Sequence, residues 1–256
     1  SISSLKGLGK LFTMKISADL RGRSWAAGFA VLALVGLLIW SPIGSAEYLE
    51  IIDMGTLGGD FSLGWDINSS GQVVGYSTTV TGETHYFSWD YQTGVMTDLN
   101  ITKPGNEPNF WAMGPDITLN DSGQIAGTRI LSSPPTQSSS TSGAPERGFL
   151  IDNGTGTLAT LGGAQNWGTN INNAGQVVGF SETSGGNTSA FLYDPDDGLT
   201  DLGGLGGSSS HAFAINELEQ IVGHAEVILS EDPELRDQHA FIWDATNGME
   251  DLGTLG

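Results

Sequence analysis

The chain has 256 residues, with 38 glycines, no cysteine and 9 basic against 29 acidic side chains, a formal net charge of −20. Glycine, at about 15% of the chain, is roughly twice its usual share, while charged residues fall well below the ordinary ~25%. No cysteine means no disulfide framework, thiolate nucleophile or zinc–thiolate site. The acidity excludes binding of nucleic acid or anionic lipid through a basic surface, and seven Trp and ten Phe exclude an acidic disordered tail.

The first predicted element is an address. Met14, Lys15, Arg21 and Arg23 lead into an apolar run over residues 25–40, and Pro42, Gly44, Ser45 and Ala46 follow. A basic start, an apolar middle and small residues at −3 and −1 describe a secretory signal peptide cut after Ala46. The competing reading is an uncleaved anchor helix, which Pro42 and the small-residue ending disfavour. Residues 1–13 precede a start methionine at 14 and are read as an upstream extension. Residues 1–46 hold five of the nine basic residues and one of the 29 acidic ones, so residues 47–256 carry −24. Such a charge keeps a Gly-rich β protein soluble and disfavours self-association.

The remaining chain repeats one unit. Ile67-Asn68-Ser69-Ser70-Gly71-Gln72-Val73-Val74-Gly75 returns as Leu119-Asn120…Gly123-Gln124-Ile125-Ala126-Gly127. It returns again as Ile171-Asn172…Gly175-Gln176-Val177-Val178-Gly179 and as Ile215-Asn216…Glu219-Gln220-Ile221-Val222-Gly223. The glutamine recurs at 72, 124, 176 and 220. In the last copy Glu219 replaces glycine, which predicts a different turn geometry there. A second phrase follows each copy: Tyr86-Phe87-Ser88-Trp89-Asp90, then Gly148-Phe149, Ala190-Phe191 and Ala240-Phe241, each leading to an aspartate. A third is Met54-Gly55-Thr56-Leu57-Gly58-Gly59, echoed at 161–163, 201–207 and 251–256 and degraded at 98–100.

Each unit divides into four short β segments, exemplified by residues 85–89, 95–99, 111–119 and 124–129, separated by D-x-x-x-G and N-x-x-G turns. Helical periodicity is absent outside the leader. Four strands per 44–52 residues is the period of a β-propeller blade. The predicted fold is therefore all-β, a β-propeller-like array over residues 47–256, with a β-solenoid as the alternative. Seventeen segments counted from Tyr48 exceed four blades by one. The last phrase also stops where other copies continue, so the array is expected to be truncated at its C-terminus, with an open edge prone to aggregation.

At these phrases the chain resembles the HAF-repeat family of bacterial extracellular proteins. His239-Ala240-Phe241-Ile242-Trp243 and Asp251-Leu252-Gly253-Thr254-Leu255-Gly256 carry the resemblance, which extends over residues 48–256. His211-Ala212-Phe213 matches the letters out of phase, before Ile215-Asn216. The resemblance implies a secreted, repeat-built β protein and no defined activity.

No catalytic, cofactor-binding or metal-binding residue is assigned. His85, His211, His224 and His239 read as strand-end residues bonded to neighbouring backbone, rather than as a ring around a channel. Asp194-Pro195-Asp196-Asp197-Gly198 resembles part of a calcium loop but lacks its distal glutamate and fits the hairpin turn of every unit. Asn68, Asn120, Asn172 and Asn216 read as turn starters. The Leu-Gly-Gly phrases precede no helix, so they are not phosphate loops. Sequons at Asn68, Asn100, Asn120, Asn153 and Asn187 follow from a Ser/Thr/Asn-rich composition. Longer connections at 100–109, 131–147 and 227–238 fall at one end of the blades, where function usually sits. The function expected is a secreted, cell-surface or periplasmic, non-enzymatic binding module for a protein or polysaccharide, with no membrane domain after cleavage. The alternative is an extracellular carbohydrate-active hydrolase on a propeller scaffold.

Overall fold

Sixteen strands, all paired antiparallel with their chain neighbours in groups of four, make up the described part of the protein. The computed structural model describes residues 51–104, 117–131, 145–152, 154–228 and 236–255. The leader and its cleavage site, the segment start at 111–116, the sequon at Asn153 and most of the three long connections lie outside those residues. The first blade comprises β1 (Gly58–Ile67), β2 (Gln72–Thr79), β3 (Thr84–Asp90) and β4 (Val95–Thr102). The second comprises β5 (Ile117–Leu119), β6 (Ile125–Ile130), β7 (Glu146–Ile151) and β8 (Thr155–Thr157). The third comprises β9 (Gly162–Ile171), β10 (Val177–Thr183), β11 (Thr188–Asp194) and β12 (Gly198–Gly203). The fourth comprises β13 (Gly206–Ile215), β14 (Ile221–Ile228), β15 (Arg236–Asp244) and β16 (Gly248–Asp251). A single parallel bridge, Thr188 to Ser209, links the third and fourth sheets. Among the described residues no strand of the first blade pairs with one of the fourth, and no helix is long and apolar enough to cross a membrane.

The strands match the predicted segments, but their grouping differs. A blade opens at Leu-Gly-Gly and closes after the phrase that follows the phenylalanine. The expected seventeenth segment opens at Tyr48 and lies partly outside the described residues; within them, residues 51–56 form no strand, and Leu57 makes only an isolated bridge to Thr79. A repeat period has no phase of its own, and hydrogen bonding supplies it.

Turn chemistry explains the register. Asn68 N–H donates to Gln72 O at 3.0 Å, and Gly71 N–H donates to Asn68 O at 3.0 Å. Copies at 120–124 and 172–176 repeat both bonds. Contrary to expectation, the fourth copy keeps this geometry. Glu219 adopts φ 60 and donates its N–H to Asn216 O at 3.2 Å, a left-handed conformation that costs a non-glycine residue about 1 kcal/mol. The glycine after the two aliphatic residues has another cause. A β-carbon on Gly75, Gly179 or Gly223 would sit 1.9, 1.8 or 1.9 Å from the carbonyl oxygen of Leu63, Trp167 or His211 on the adjacent strand.

Packing between blades makes the core. Val74, Tyr76 and Tyr86 of the first blade meet Ile117, Ile125 and Phe149 of the second. Ala126 and Leu150 meet Ile171, Val177 and Phe191 of the third, and Val178, Ala190 and Leu192 meet Ile215, Ile221 and Phe241 of the fourth. The recurring phenylalanines, Phe87, Phe149, Phe191 and Phe241, are fully buried. The second and third blades therefore bury both sheet faces, which a lone meander has no means of covering. On the first blade the outward side, Val73, Phe87 and Trp89, packs against Met54 and Leu57.

Candidate interaction surface

A polar spine runs across the blades at the N-x-x-G turns. Asn68 Nδ2 donates to Asn120 O at 3.0 Å, Asn120 Nδ2 to Asn172 O at 2.9 Å and Asn172 Nδ2 to Asn216 O at 3.4 Å. One residue later the pattern recurs: Ser69 N–H to Asp121 Oδ1, Asp121 N–H to Asn173 Oδ1 and Asn173 N–H to Glu217 Oε1, at 2.8, 2.8 and 3.1 Å. The amide of Ser69 holds the Asp121 carboxyl below its ordinary range. Each spine asparagine also accepts its own Gln amide, as Asn120 Oδ1 does from Gln124 N–H at 2.9 Å. These asparagines start turns as expected, and they also tie each blade to the next, which was not anticipated. The missed signal was numerical: residues bonded between blades lie 52, 52 and 44 positions apart, the repeat spacing itself.

The histidine and Asp-Leu phrases are one device. His85 Nδ1 lies 3.0 Å from the Asp98 carboxylate and His239 Nδ1 lies 2.9 Å from that of Asp251, while Ser189 hydroxyl donates to Asp201 in the third blade. The partner is thus a carboxylate on the next strand, not the backbone expected, because β3–β4 and β15–β16 pairing places the two phrases opposite each other. The same aspartates hold the turn after the strand: Gly253 N–H donates to Asp251 Oδ1 at 2.7 Å, and this bond, with His239, lowers the Asp251 pKa. Hairpin aspartates behave alike. Asp194 accepts Gln176 Nε2 at 2.8 Å and Asp196 N–H at 2.8 Å, and both hold its carboxyl down. The stretch read as a partial calcium loop is the β11–β12 turn. Among the described residues no group of three His, Asp or Glu side chains is placed to hold a metal ion. Glu226 accepts the Ser208 hydroxyl at 2.7 Å and Ser208 N–H at 2.9 Å, with Arg236 Nη1 at 2.9 Å, and these bonds lower its pKa to about 2.

The other two histidines do not follow the strand-end reading. His211 and His224 sit side by side on β13 and β14, ring centres 4.8 Å apart, in a ring series that begins with stacked Trp167 and Phe180 at 4.8 Å and ends on Phe213, 5.1 Å from His224. Phe180 meets His211 edge-on across the blade boundary at 4.4 Å. Burial, with repulsion from His224, lowers the His211 pKa to about 4, and His211 Nδ1 and His224 Nε2 have no hydrogen-bond partner among the described residues.

At the fourth blade this construction meets solvent. A shallow depression on that blade is lined by Leu218, Glu219, Gln220 and residues 244–247. In the interior interfaces the corresponding glutamines face the next turn: a β-carbon on Gly123 would lie 3.2 Å from Gln72, and one on Gly175 would lie 3.1 Å from Gln124. At the opposite end of the blades, connections β2–β3 and β10–β11 are tight, whereas β6–β7 and β14–β15 span 131–145 and 229–235.

The fold is a four-blade, β-propeller-like array. A family model described as a protein of unknown function (DUF3466) matches residues 165–255, the third and fourth blades. No curated protein matches the chain. Among solved structures, TolB from Acinetobacter baumannii is similar with TM-score 0.50 at 13% identity, over 75% of this chain and 43% of TolB. The β-propeller domain of the Trilobed protease from Pyrococcus furiosus, described as having an open velcro topology, gives TM-score 0.44 at 10% identity, over 76% of this chain and 58% of that domain. The chain thus spans less than two thirds of either.

Proposed function

We propose that the chain is an exported, non-enzymatic binding module of the HAF-repeat type, acting outside the cytoplasm on a protein or polysaccharide. The use to which six of its carboxylates are put supports this reading. Asp90, Asp121, Asp194, Asp244, Asp251 and Glu226 all accept local amides or hydroxyls, and these bonds depress their pKa values. A general acid needs the opposite, a carboxyl raised towards neutral pH. A rigid array with unequal loops at one end is the usual arrangement of a binding scaffold. The leader over residues 1–46 supports export. Residues 47–256 carry −24, which favours neutral or cationic ligands.

The test presents immobilised protein with a panel of neutral, cationic and anionic polysaccharides and of extracellular proteins, following binding and turnover together. Saturable binding without turnover, weakened when residues 132–144 are shortened, is the expected result. Turnover of any panel member that one carboxylate substitution abolishes would overturn the proposal.

A further inference from the structure

Residues 47–256 hold only four basic side chains, Lys103, Arg129, Arg147 and Arg236, and strand register sets two of them opposite each other. Arg129 of β6 pairs with Arg147 of β7. In the other blades the same pair is Ser77 with His85, Ser181 with Ser189 and Ala225 with His239. The last strand of the blade completes the position. Opposite the buried phenylalanine stand Asp98, Asp201 and Asp251, but Thr157 in the second blade. Three blades thus bond a histidine or serine to a carboxylate: His85 to Asp98 at 3.0 Å, Ser189 to Asp201, and His239 to Asp251 at 2.9 Å. The second blade carries two guanidinium groups there and no carboxylate.

Both arginines are half-buried. Arg129 Nη2 donates to the Thr157 hydroxyl, and Arg129 Nε is buried with no hydrogen-bond partner. Among the described residues neither arginine forms an ion pair; the pairs present join His85, Arg236 and His239 to carboxylates. Glu146, next to Arg147 in the chain, falls on the other face of the strand and accepts Trp167 Nε1 of the third blade. Lys103 brings a third cation to the boundary with the first blade. Its Nζ lies 5.0 Å from the ring of Tyr76, which packs among Ile117, Ile125 and Phe149 of the second blade. Like charges directly opposite each other destabilise a sheet. Two uncompensated cations at one position, in a segment of −24, point to a counter-charge from outside the chain.

We propose that Arg129 and Arg147 bind the carboxylate of a small molecule, which takes the role that Asp98, Asp201 and Asp251 play in the other blades. A guanidinium fork matches a planar carboxylate, donating two parallel N–H bonds to its two oxygens. The repeat itself selects this anion, because the position is built around a carboxylate in every blade but the second. The charge of the whole selects the size. A segment of −24 repels a polyanion at long range, whereas a ligand with one carboxylate meets mainly the adjacent guanidinium groups. The site stands apart from the binding-module reading: it lies in a blade flanked on both sides, and it requires neither export nor a polymeric partner.

The experiment titrates the 256-residue chain by calorimetry at low ionic strength with galacturonate, galactose, acetate, inorganic phosphate and polygalacturonate. Galacturonate and galactose differ at one carbon, carboxylate against hydroxymethyl. Saturable binding of galacturonate, weaker binding of acetate and none of galactose are expected. Arg129→Ser and Arg147→Ser install the residues of the third blade, Ser181 and Ser189. Thr157→Asp, at an exposed position, supplies the carboxylate from the chain itself, so it tests the site even if an arginine variant does not fold. Each of the three is expected to weaken binding at least tenfold, and Thr157→Asp to raise the melting midpoint without ligand. Arg236→Ser, which removes the partner of Glu226 at 2.9 Å, is expected to leave binding unchanged. Failure of both galacturonate and acetate to bind overturns the proposal. So does galactose binding as tightly as galacturonate, tighter binding of phosphate or polygalacturonate than of galacturonate, or binding indifferent to Thr157→Asp.

Discussion

Replacing Asn120 by alanine is expected to destabilise the array far more than the same change at Asn216. Asn120 is buried and makes three bonds: Nδ2 to Asn172 O at 2.9 Å, Nδ2 to Gln124 Oε1 at 2.6 Å, and Oδ1 from Gln124 N–H at 2.9 Å. A typical hydrogen bond contributes about 1 kcal/mol net, and an orphaned buried partner costs ~1–3 kcal/mol. Between blades, water has little access to replace the lost groups, so the three bonds together give a loss of about 3 kcal/mol. For a domain of this size that lowers the melting midpoint by roughly 6–12 °C. Asn216 makes the same contacts within its own turn, to Gln220 Oε1 at 2.9 Å and from Gln220 N–H at 3.0 Å, but it is exposed and has no following blade. Water substitutes there, and the loss is about 0.5–1 kcal/mol, a few degrees at most. Thermal melts by far-ultraviolet circular dichroism, on dilute protein at low salt, compare the two variants directly. Equal shifts would mean that the asparagines only start turns, and would refute the inter-blade spine.

Three further outcomes follow from the geometry. Glu219→Gly relieves a left-handed conformation and is expected to stabilise by about 1 kcal/mol; an unchanged or lower midpoint contradicts the strain. Gly179→Ala places a β-carbon 1.8 Å from Trp167 O and is expected to abolish native packing, whereas Gly186→Ala, with φ 83° and open space around it, costs only about 1 kcal/mol; similar losses at both sites would show that backbone conformation, not the close strand approach, decides. The third outcome concerns acid. His211 has its pKa lowered to about 4, so the unfolded chain binds more protons between pH 4 and 6.5. Stability should fall as pH drops through that window, by up to ~3 kcal/mol for a shift of this size and about half that for a ring edge near solvent. Glu226 acts lower: its contribution is present above the ordinary carboxylate range and is lost as pH falls towards 2. Denaturant titrations at pH 4.5, 5.5 and 7 should show a slope in the parent that His211→Phe flattens; an unaltered slope removes His211 as its source.

Much of the fold could be read from the repeated phrases, because turn chemistry is local. Asn68-x-x-Gly71 and Asp90-x-x-x-Gly94 announce their hairpins in a few residues, and the spacing announces a blade. The phase was not legible. A cyclic unit reads equally well from His-Ala-Phe or from Leu-Gly-Gly, and only the β1–β2 and β13–β14 pairing decides. Contacts between copies were hidden for a related reason: a residue that repeats for its turn and one that repeats for its neighbour look identical in a single sequence. His211 shows a different limit. Its His-Ala-Phe letters fall, as read, in the segment before Ile215-Asn216, which is β13, but the strand-end reading missed its neighbours: strand register sets His224 beside it, and blade stacking sets Phe180 against it.

Some departures from the repeat gather where stacking ends. Glu219 stands at the turn position that is glycine in the three earlier copies, and Val222 and Leu218 lie in solvent beside it. Inside the array such changes meet resistance, because Gly123 and Gly175 lie against the glutamine of the preceding blade. At the fourth blade the preceding Gln176 donates to Asp194 at 2.8 Å. An acidic side chain at that turn then adds to Glu217 and Asp244 on the open face.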